Sequence, residues 1–347
     1  MTKPNSAQIT ALFRGMLDRD PDPVGLQYFQ KRTDLESVVR DIKGSSEFVQ
    51  KQRASPFFHY QSRFDAEALM HKYAVPQPRM RPGLLVNFLD VAVAPKFLPE
   101  ILSNAAGTVE GIPIPANWHA DVAEWGAVLR SIDLARDTFR MAELGCGWGC
   151  WINNACVTAK RRGLRVHGIG VEGDEGHIAF AKEACRLNGL TESEVTLHHA
   201  IASGRDGVAL FPRQERAGIE WGLQAIFDAT SEQRAEAARN GTHVELPTLS
   251  LESMTGGEML DFLHIDIQGA EIDVAAASID FLCDKVAYMM IGTHSRQIEG
   301  RLLDLLLAHG WVLEIERPAF LTLTVPQPGI TVDGVQGWRN PRLLPET

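Results

Sequence analysis

The chain has 347 residues, 45% hydrophobic and 22% charged, which is enough apolar material for a sizeable core and excludes disorder for its bulk. Asp and Glu number 44 against 34 for Lys and Arg, and the formal net charge of −10 repels a polyanion, so a nucleic-acid partner is disfavoured. The five cysteines (146, 150, 156, 185, 283) are odd in number and three of them fall within eleven residues, which fits reduced thiols better than a disulfide framework.

Met1 to Thr10 has neither a basic start leading into an apolar stretch nor a small-residue cleavage site, and no segment approaches the roughly 18 apolar residues of a membrane span. The expectation is a soluble, cytoplasmic protein with no membrane partner.

The first elements read as helical. Ile9, Leu12, Phe13, Met16 and Leu17 recur at helical spacing, Arg19 to Gly25 supplies turn residues, and short helices are expected over 26–31 and 35–42. The run Leu17-Asp18-Arg19-Asp20-Pro21-Asp22, with Gly25, Tyr28-Phe29 and Ser46-Glu47-Phe48, resembles the small helical repeat domain known as DUF4214. That resemblance implies a module over 1–55 with a protein-contact role; a plain three-helix cap on the next domain fits the same residues.

Pro76, Pro78 and Pro82 with Gly83 break both helix and ladder, so residues 56–83 are expected to be a helix and a proline-rich linker, with a boundary near residue 80. Residues 84–110 carry mixed apolar runs interrupted by Pro95 and Pro99. Pro113 to Asp121 then leads into a helix through Val122, Trp125, Val128, Leu129 and Ile132.

From Thr138 onward, strands over 139–144, 165–171, 195–199, 262–267, 286–291 and 311–315 alternate with helices. A Gln/Glu/Arg-rich insertion occupies 213–240. Such alternation builds a mainly parallel sheet covered on both faces, with ligands at the carboxyl ends of its strands.

Met141-Ala-Glu143-Leu-Gly145-Cys-Gly147-Trp-Gly149 places glycines where the first of these strands turns into a helix, so a nucleotide-type ligand can approach the backbone closely. The dinucleotide fingerprint G-x-G-x-x-G would need glycine at 150, where Cys150 stands. The next strand ends in Glu172, whose carboxylate can accept both hydroxyl protons of an adenosine ribose. Ala200 and Ile201, small and apolar, follow the third strand at the position where an adenine lies in this fold.

The spacing Glu143-x-Gly-x-Gly-x-Gly resembles motif I of the S-adenosylmethionine-dependent methyltransferases, whose glycine loop wraps the methionine part of the cofactor. The resulting cofactor-binding set is Glu143, Gly145, Gly147, Gly149, Glu172, Ala200 and Ile201. Further along, Leu260 to Glu271 resembles the "DfiKiDvEGaE" signature of FkbM-type methyltransferases, Met290 to Ser295 their strand-five ending, and Thr248 to Ser253 their "tLDsl" lead-in.

The FkbM resemblance covers residues 138–315. It implies a class I methyltransferase fold, Rossmann-like and α/β, with a seven-stranded mainly parallel sheet and one antiparallel strand near the carboxyl end, preceded by the all-α module. The methyltransferase domain would span 84–347 with its core at 138–325. It also implies methyl transfer from S-adenosylmethionine to a hydroxyl oxygen of a sugar, glycan or other small-molecule natural product. Three positions depart from the family pattern: His264 replaces Lys, Gln268 replaces Glu, and Gly292-Thr293 replaces an acidic residue before the histidine.

A sulfonium is already an activated electrophile, so the protein has to align the acceptor and help remove its proton. Asp266 and His294 would end neighbouring strands facing the methyl. His294 is the expected general base because an unperturbed histidine titrates at about 6.5, and Asp266 would orient it or hold the acceptor hydroxyl. His264, Asp266 and His294 also form a conceivable set for a divalent ion, although no metal ligand is assigned. Trp118 or Glu124, in the segment that leads into the first strand, would reach the cofactor, while Trp125 packs. A NAD-dependent oxidoreductase would share the glycine loop and Glu172, and a catalytically degenerate binding protein would share everything except turnover.

Overall fold

Three helices form the first unit: α1 (Ser6–Leu17), α2 (Pro23–Phe29) and α3 (Leu35–Lys43). Asp22 caps α2 by accepting from the Gly25 N–H, and Asp34 caps α3 by accepting from the Ser37 N–H. Ile9, Phe13, Leu17, Val38 and Ile42 close a small apolar core, and Arg19 pairs with Glu47 at 2.5 Å. The computed structural model describes residues 3–17, 19–48 and 59–345, and the chain divides into two compact units, 1–59 and 60–347. Asp18 of the DUF4214-like run, and the expected end of that module at residue 55, lie outside the described residues.

The second unit begins earlier than its prolines suggest. After the short strand β1 (Gln61–Ser62), helix α4 (Ala66–Tyr73) buries Ala66 and Met70 in the large core beside Trp125 and Leu129. The Tyr73 hydroxyl donates to Asp133 at 2.8 Å, and the Val75 N–H donates to the Phe88 carbonyl at 2.8 Å. These contacts make Pro76–Gly83 a turn inside the second unit instead of a linker, and the division falls at residue 59/60, not near 80.

Helix α5 (Val122–Leu134) then leads into β2 (Thr138–Leu144), α6 (Cys150–Arg161), β3 (Arg165–Glu172), α7 (Glu175–Leu187) and β4 (Val195–His199). Strand β5 (Gly207–Pro212), helix α8 (Ser231–Asn240) and β6 (His243–Leu249) make a side excursion, and β5, β6 and residues 201–202 form a small separate sheet. The main sheet resumes with β7 (Phe262–Ile265), α9 (Glu271–Ala277), β8 (Tyr288–Thr293), α10 (Arg296–Ala308), β9 (Val312–Arg317) and β10 (Gly334–Arg339).

Strand order in the main sheet is β1-β9-β10-β8-β7-β2-β3-β4, with β8, β7, β2, β3 and β4 mutually parallel and β10 antiparallel to both its neighbours. Without β1 this is the seven-stranded arrangement of class I methyltransferases, with the single reversed strand inserted between the fifth and the sixth. The eighth strand was not expected: β1 extends the edge by pairing antiparallel with β9, Gln61 opposite Glu316.

Side chains alternate across the sheet as strand geometry requires. Phe139, Met141, Phe262, Tyr288 and Met290 enter one core cluster, while Ala142, Leu144, Leu263, Ile265, Met289 and Ile291 enter the other. Each large side chain so buried contributes about 1.5–3 kcal/mol, and the strands fix the loops at their carboxyl ends. All five cysteines are free and buried. Among the described residues, no helix is long and apolar enough to cross a membrane.

Candidate active site

Strand order reverses at β2, which lies between β7 and β3, and in open parallel sheets ligands bind outside the carboxyl ends at such a point. A cavity of about 210 Å³ lies there, walled by Gly145 and Gly147 after β2, by Glu172 and Asp174 at the end of β3, and by Asp266 and Gln268 after β7.

The glycine loop has the conformation its sequence requires. Gly145, Gly147 and Gly149 all have positive φ, at 73°, 52° and 74°. The N–H groups of Gly145 and Cys146 donate to the Val171 carbonyl at 2.9 and 3.0 Å, tying the loop to β3. Gly149 is set back from the cavity as the cap residue of α6.

Glu143 is also set back. Its carboxylate accepts from the N–H groups of Trp151 (3.2 Å) and Ile152 (2.9 Å), donors that the first turn of α6 leaves unsatisfied. Burial pushes its carboxyl up to about 8 against those hydrogen bonds. Glu143 therefore braces the loop and does not line the cavity, unlike the direct cofactor contact expected from sequence.

Glu172 does line the cavity. Its two oxygens accept one bond each, from the Gly147 N–H and the Asp174 N–H, both at 2.8 Å, which leaves each oxygen a further lone pair. Burial raises its carboxyl to about 7 in spite of these donors. Ala200 and Ile201 sit on the cavity wall where expected.

The insertion supplies a further wall. Residues 213–229 run as a strap over the cavity, contributing Glu220, Trp221, Leu223, Ala225 and Phe227. Trp221 stacks face to face on His177, ring centroids 4.0 Å apart and planes 7° from parallel, and a Cβ at Gly147 would stand 2.9 Å from its ring. The Gly218 N–H donates to His177 Nε2 at 3.1 Å, and Gln224 Nε2 donates to the Gln268 carbonyl at 2.7 Å. The strap thus bridges α7 and the loop after β7.

Asp266 and His294, expected to meet, do so. His294 Nε2 lies 3.3 Å from Asp266 Oδ1, and its Nδ1 lies 2.8 Å from Glu271 Oε1. Glu271 is fully buried and also accepts from the N–H groups of Ile267 (3.1 Å) and Gly269 (3.0 Å), so one carboxylate fixes both the histidine and the loop carrying Asp266. Glu271 has no role expected from sequence; its place at the end of the Asp266 to Glu271 signature is the signal that points to it.

The protonation of His294 differs from expectation. Burial alone would lower its pKa, but hydrogen bonds to Asp266 and Glu271, and their charges, outweigh burial and raise it to about 10. At neutral pH the ring is an imidazolium and not the free base assigned on its ordinary value. Asp266 is correspondingly held below the usual carboxylate range: burial would raise it, and the His294 hydrogen bond with the nearby histidines wins.

Asp266 Oδ1 also takes a bond from Gln268 Nε2 at 3.3 Å. A glutamate at 268 has no such donor, so the family departure at this position has a purpose here. The departure at 292 has one too: a Cβ on Gly292 would stand 3.3 Å from Asp266 Oδ2, and glycine leaves that oxygen its space.

His264 does not join this group. Its ring is buried, its Nδ1 has no hydrogen-bond partner and lies 3.8 Å from Glu143 Oε1, and burial lowers its pKa to about 4. The ligand-type atoms that lie within 4.8 Å of one another belong to Asp266, Glu271 and His294, a different set from the one the sequence suggested. Neither Trp118 nor Glu124 lines the cavity: Trp118 stacks on His119, and Glu124 closes the capping box of α5 by accepting from the Asp121 N–H at 2.9 Å.

No family model matches the chain. A protein of Jannaschia sp. (strain CCS1) bearing the name "Putative methyltransferase" is 45% identical over 262 residues, covering 76% of this chain and 94% of that one. Among solved structures, the methyltransferase FkbM from Methylobacillus flagellatus KT aligns at 13% identity and a TM-score of 0.40 over 62% of this chain, and only 54% of its own length is spanned. TrmK of M. capricolum, in complex with S-adenosyl-homocysteine, aligns at 9% identity and a TM-score of 0.31 over 61% of this chain and 67% of its own. The Jannaschia relative shares nearly half its aligned residues along almost its whole length, and the strand order and glycine loop agree with it: the chain belongs to the methyltransferases.

Proposed function

We propose that this protein is an S-adenosylmethionine-dependent O-methyltransferase, acting in the cytoplasm on a hydroxyl of a sugar, a glycan or another small-molecule natural product. The observation that carries this reading is the pairing of Glu172 and Asp266 on one cavity that Gly145 and Gly147 of the glycine loop also line. The residues present fit the cofactor: Glu172 keeps lone pairs for a ribose, Ala200 and Ile201 give a flat apolar bed, and the acidic lining suits a sulfonium. When bound, S-adenosylmethionine supplies a methyl on a positively charged sulfur.

The chain's own residues then have three tasks. Glu172 and the glycine loop hold the adenosine end, and the strap excludes water from the side of Trp221. Asp266, with Oδ1 engaged by His294 and Gln268, turns Oδ2 toward the acceptor hydroxyl and takes its proton as the carbon–oxygen bond forms. The His294 imidazolium and Glu271 act on Asp266 as positioning residues. The net charge of −10 supports an acceptor that is not a nucleic acid.

Calorimetry with S-adenosylmethionine, S-adenosylhomocysteine and NAD tests the cofactor, followed by turnover against a panel of sugar acceptors. Binding of both sulfur ligands, with methylated product lost in Asp266→Asn, is the expected result. Tight NAD binding with no response to the sulfur ligands would overturn the reading in favour of an oxidoreductase, and sulfur-ligand binding without turnover on any hydroxyl would favour a binding protein.

A further inference from the structure

At the opposite end of the main sheet lies a cleft of about 780 Å³. Arg136, Asp261 and Ala287, which line it, lie one or two residues before β2, β7 and β8, so it opens at the amino ends of these strands, whereas the cofactor cavity lies at the carboxyl ends of β2 and β7. A strand the length of β8 separates the two by about 20 Å.

Four arginines line the cleft: Arg63, Arg130, Arg136 and Arg339. Glu314 is buried between two of them, accepting from Arg130 Nε at 3.0 Å and from Arg339 Nε at 2.6 Å. The other acid, Asp261, is tied to the backbone through the Arg140 N–H at 2.8 Å. Among the described residues, four guanidinium groups and two carboxylates line the cleft, in a chain whose formal charge is −10. Arg63 and Arg136 are exposed at its rim and, among the described residues, have no ion-pair partner. Met259, Leu343 and Leu344 give the cleft an apolar side.

Guanidinium groups from α5, β10 and two loops line this one cleft, guanidinium binds phosphate oxygens through paired N–H donors, and Glu314 holds Arg130 and Arg339 in place. We propose that this cleft binds a phosphorylated small molecule, its phosphate between Arg63 and Arg136 at the rim and its apolar body against Met259 and Leu343. The site is separate from methyl transfer and does not depend on the cofactor assignment.

Isothermal titration of the full chain with inorganic pyrophosphate and inorganic phosphate, at constant ionic strength set with chloride, tests the proposal. The wild type is expected to bind pyrophosphate at one site, and the double variant Arg63→Ala/Arg136→Ala, which removes two exposed side chains and no core contact, at least 10-fold more weakly. A Met259→Asp variant, which places an acid at the apolar side, is expected to weaken binding as well. Absence of saturable binding to the wild type, or affinity unchanged in the double variant, would overturn the proposal, and so would a response to chloride equal to that to pyrophosphate.

Discussion

A β-carbon on Gly145 would stand 2.0 Å from the carbonyl oxygen of Asp266, so the glycine loop and the loop after β7 touch backbone to backbone across the point where strand order reverses. Neither atom can yield without moving a strand end. Gly145→Ala is therefore expected to lower stability, by about 1–3 kcal/mol from the left-handed backbone alone and more from the collision. It should also abolish S-adenosylhomocysteine binding by calorimetry; a variant that melts and binds like the wild type would contradict this contact.

The charge on His294 has a signature in stability against pH. Its folded pKa of about 10 lies above the unfolded value of about 6.5, so the folded state holds a proton that the unfolded state has lost between these values. The contribution is complete below the unfolded pKa and disappears as pH rises through the folded one. Melting temperature should accordingly fall between pH 7 and 10 in the wild type, and less steeply in His294→Gln. Parallel slopes in the two proteins would mean that the imidazolium is not held by Asp266 and Glu271.

Both ring nitrogens of His294 already face carboxylates, so the imidazolium stands between Asp266 and Glu271 where an ion would otherwise bridge them. Turnover is expected to survive exhaustive chelation with EDTA. Activity lost to the chelator and restored by magnesium or manganese would instead make these three residues metal ligands.

Gly292→Asp would restore the acidic residue that FkbM-type sequences carry before the histidine. Here its Cβ would press on Asp266 Oδ2 from 3.3 Å and its charge would face that carboxylate. We expect turnover to fall at least 100-fold with cofactor affinity within a factor of about 3, a split between kcat and binding that calorimetry and product assay resolve together. Unchanged turnover would show that Oδ2 does not face the acceptor.

The cavity's 210 Å³ lies below the roughly 300 Å³ at which small-molecule sites begin, because Trp221 and Phe227 close it from the strap side. Cofactor entry is expected to move the Trp221 indole off the glycine loop. The fluorescence change on adding S-adenosylhomocysteine should then be present in the wild type and reduced in Trp221→Phe, while Trp221→Ala should speed association at least tenfold in stopped flow. Identical traces for all three would place the indole outside the entry path.

The legible and illegible parts of the chain differ for physical reasons. Alternation of apolar strands and helices made β2, β3, β4, β7, β8 and β9 legible, since burial on both faces demands continuous hydrophobic runs there, whereas β5 and β6 of the side sheet were not expected. The reversed strand β10 was expected but could not be located, because Gly334 to Arg339 mixes glycine and polar residues and is buried by its neighbours, not by its own composition. Glycines 145 and 147, Glu172 and Asp266 could be placed from spacing, because each follows a strand end directly. Glu143 stands behind the cavity wall because an acid before a glycine loop serves a helix amino terminus as readily as a ligand. The strap was legible as an insertion but its contacts were not: Trp221, Gln224 and Phe227 are scattered among polar residues, and only three-dimensional closure brings Trp221 and Phe227 to the cavity and Gln224 to the loop after β7. Pro76 to Gly83 misled in the other direction, since proline marks a turn and says nothing about which core the flanking helix joins.

The strap is rooted in the small side sheet through Ile226 and Leu210, which exchange two backbone hydrogen bonds, and not in the eight strands that carry the core. Its residues can therefore drift in sequence while the fold keeps its stability. Because that same segment walls the cavity that Asp266 also lines, a substitution in the strap is expected to change acceptor choice and cofactor release together and not independently.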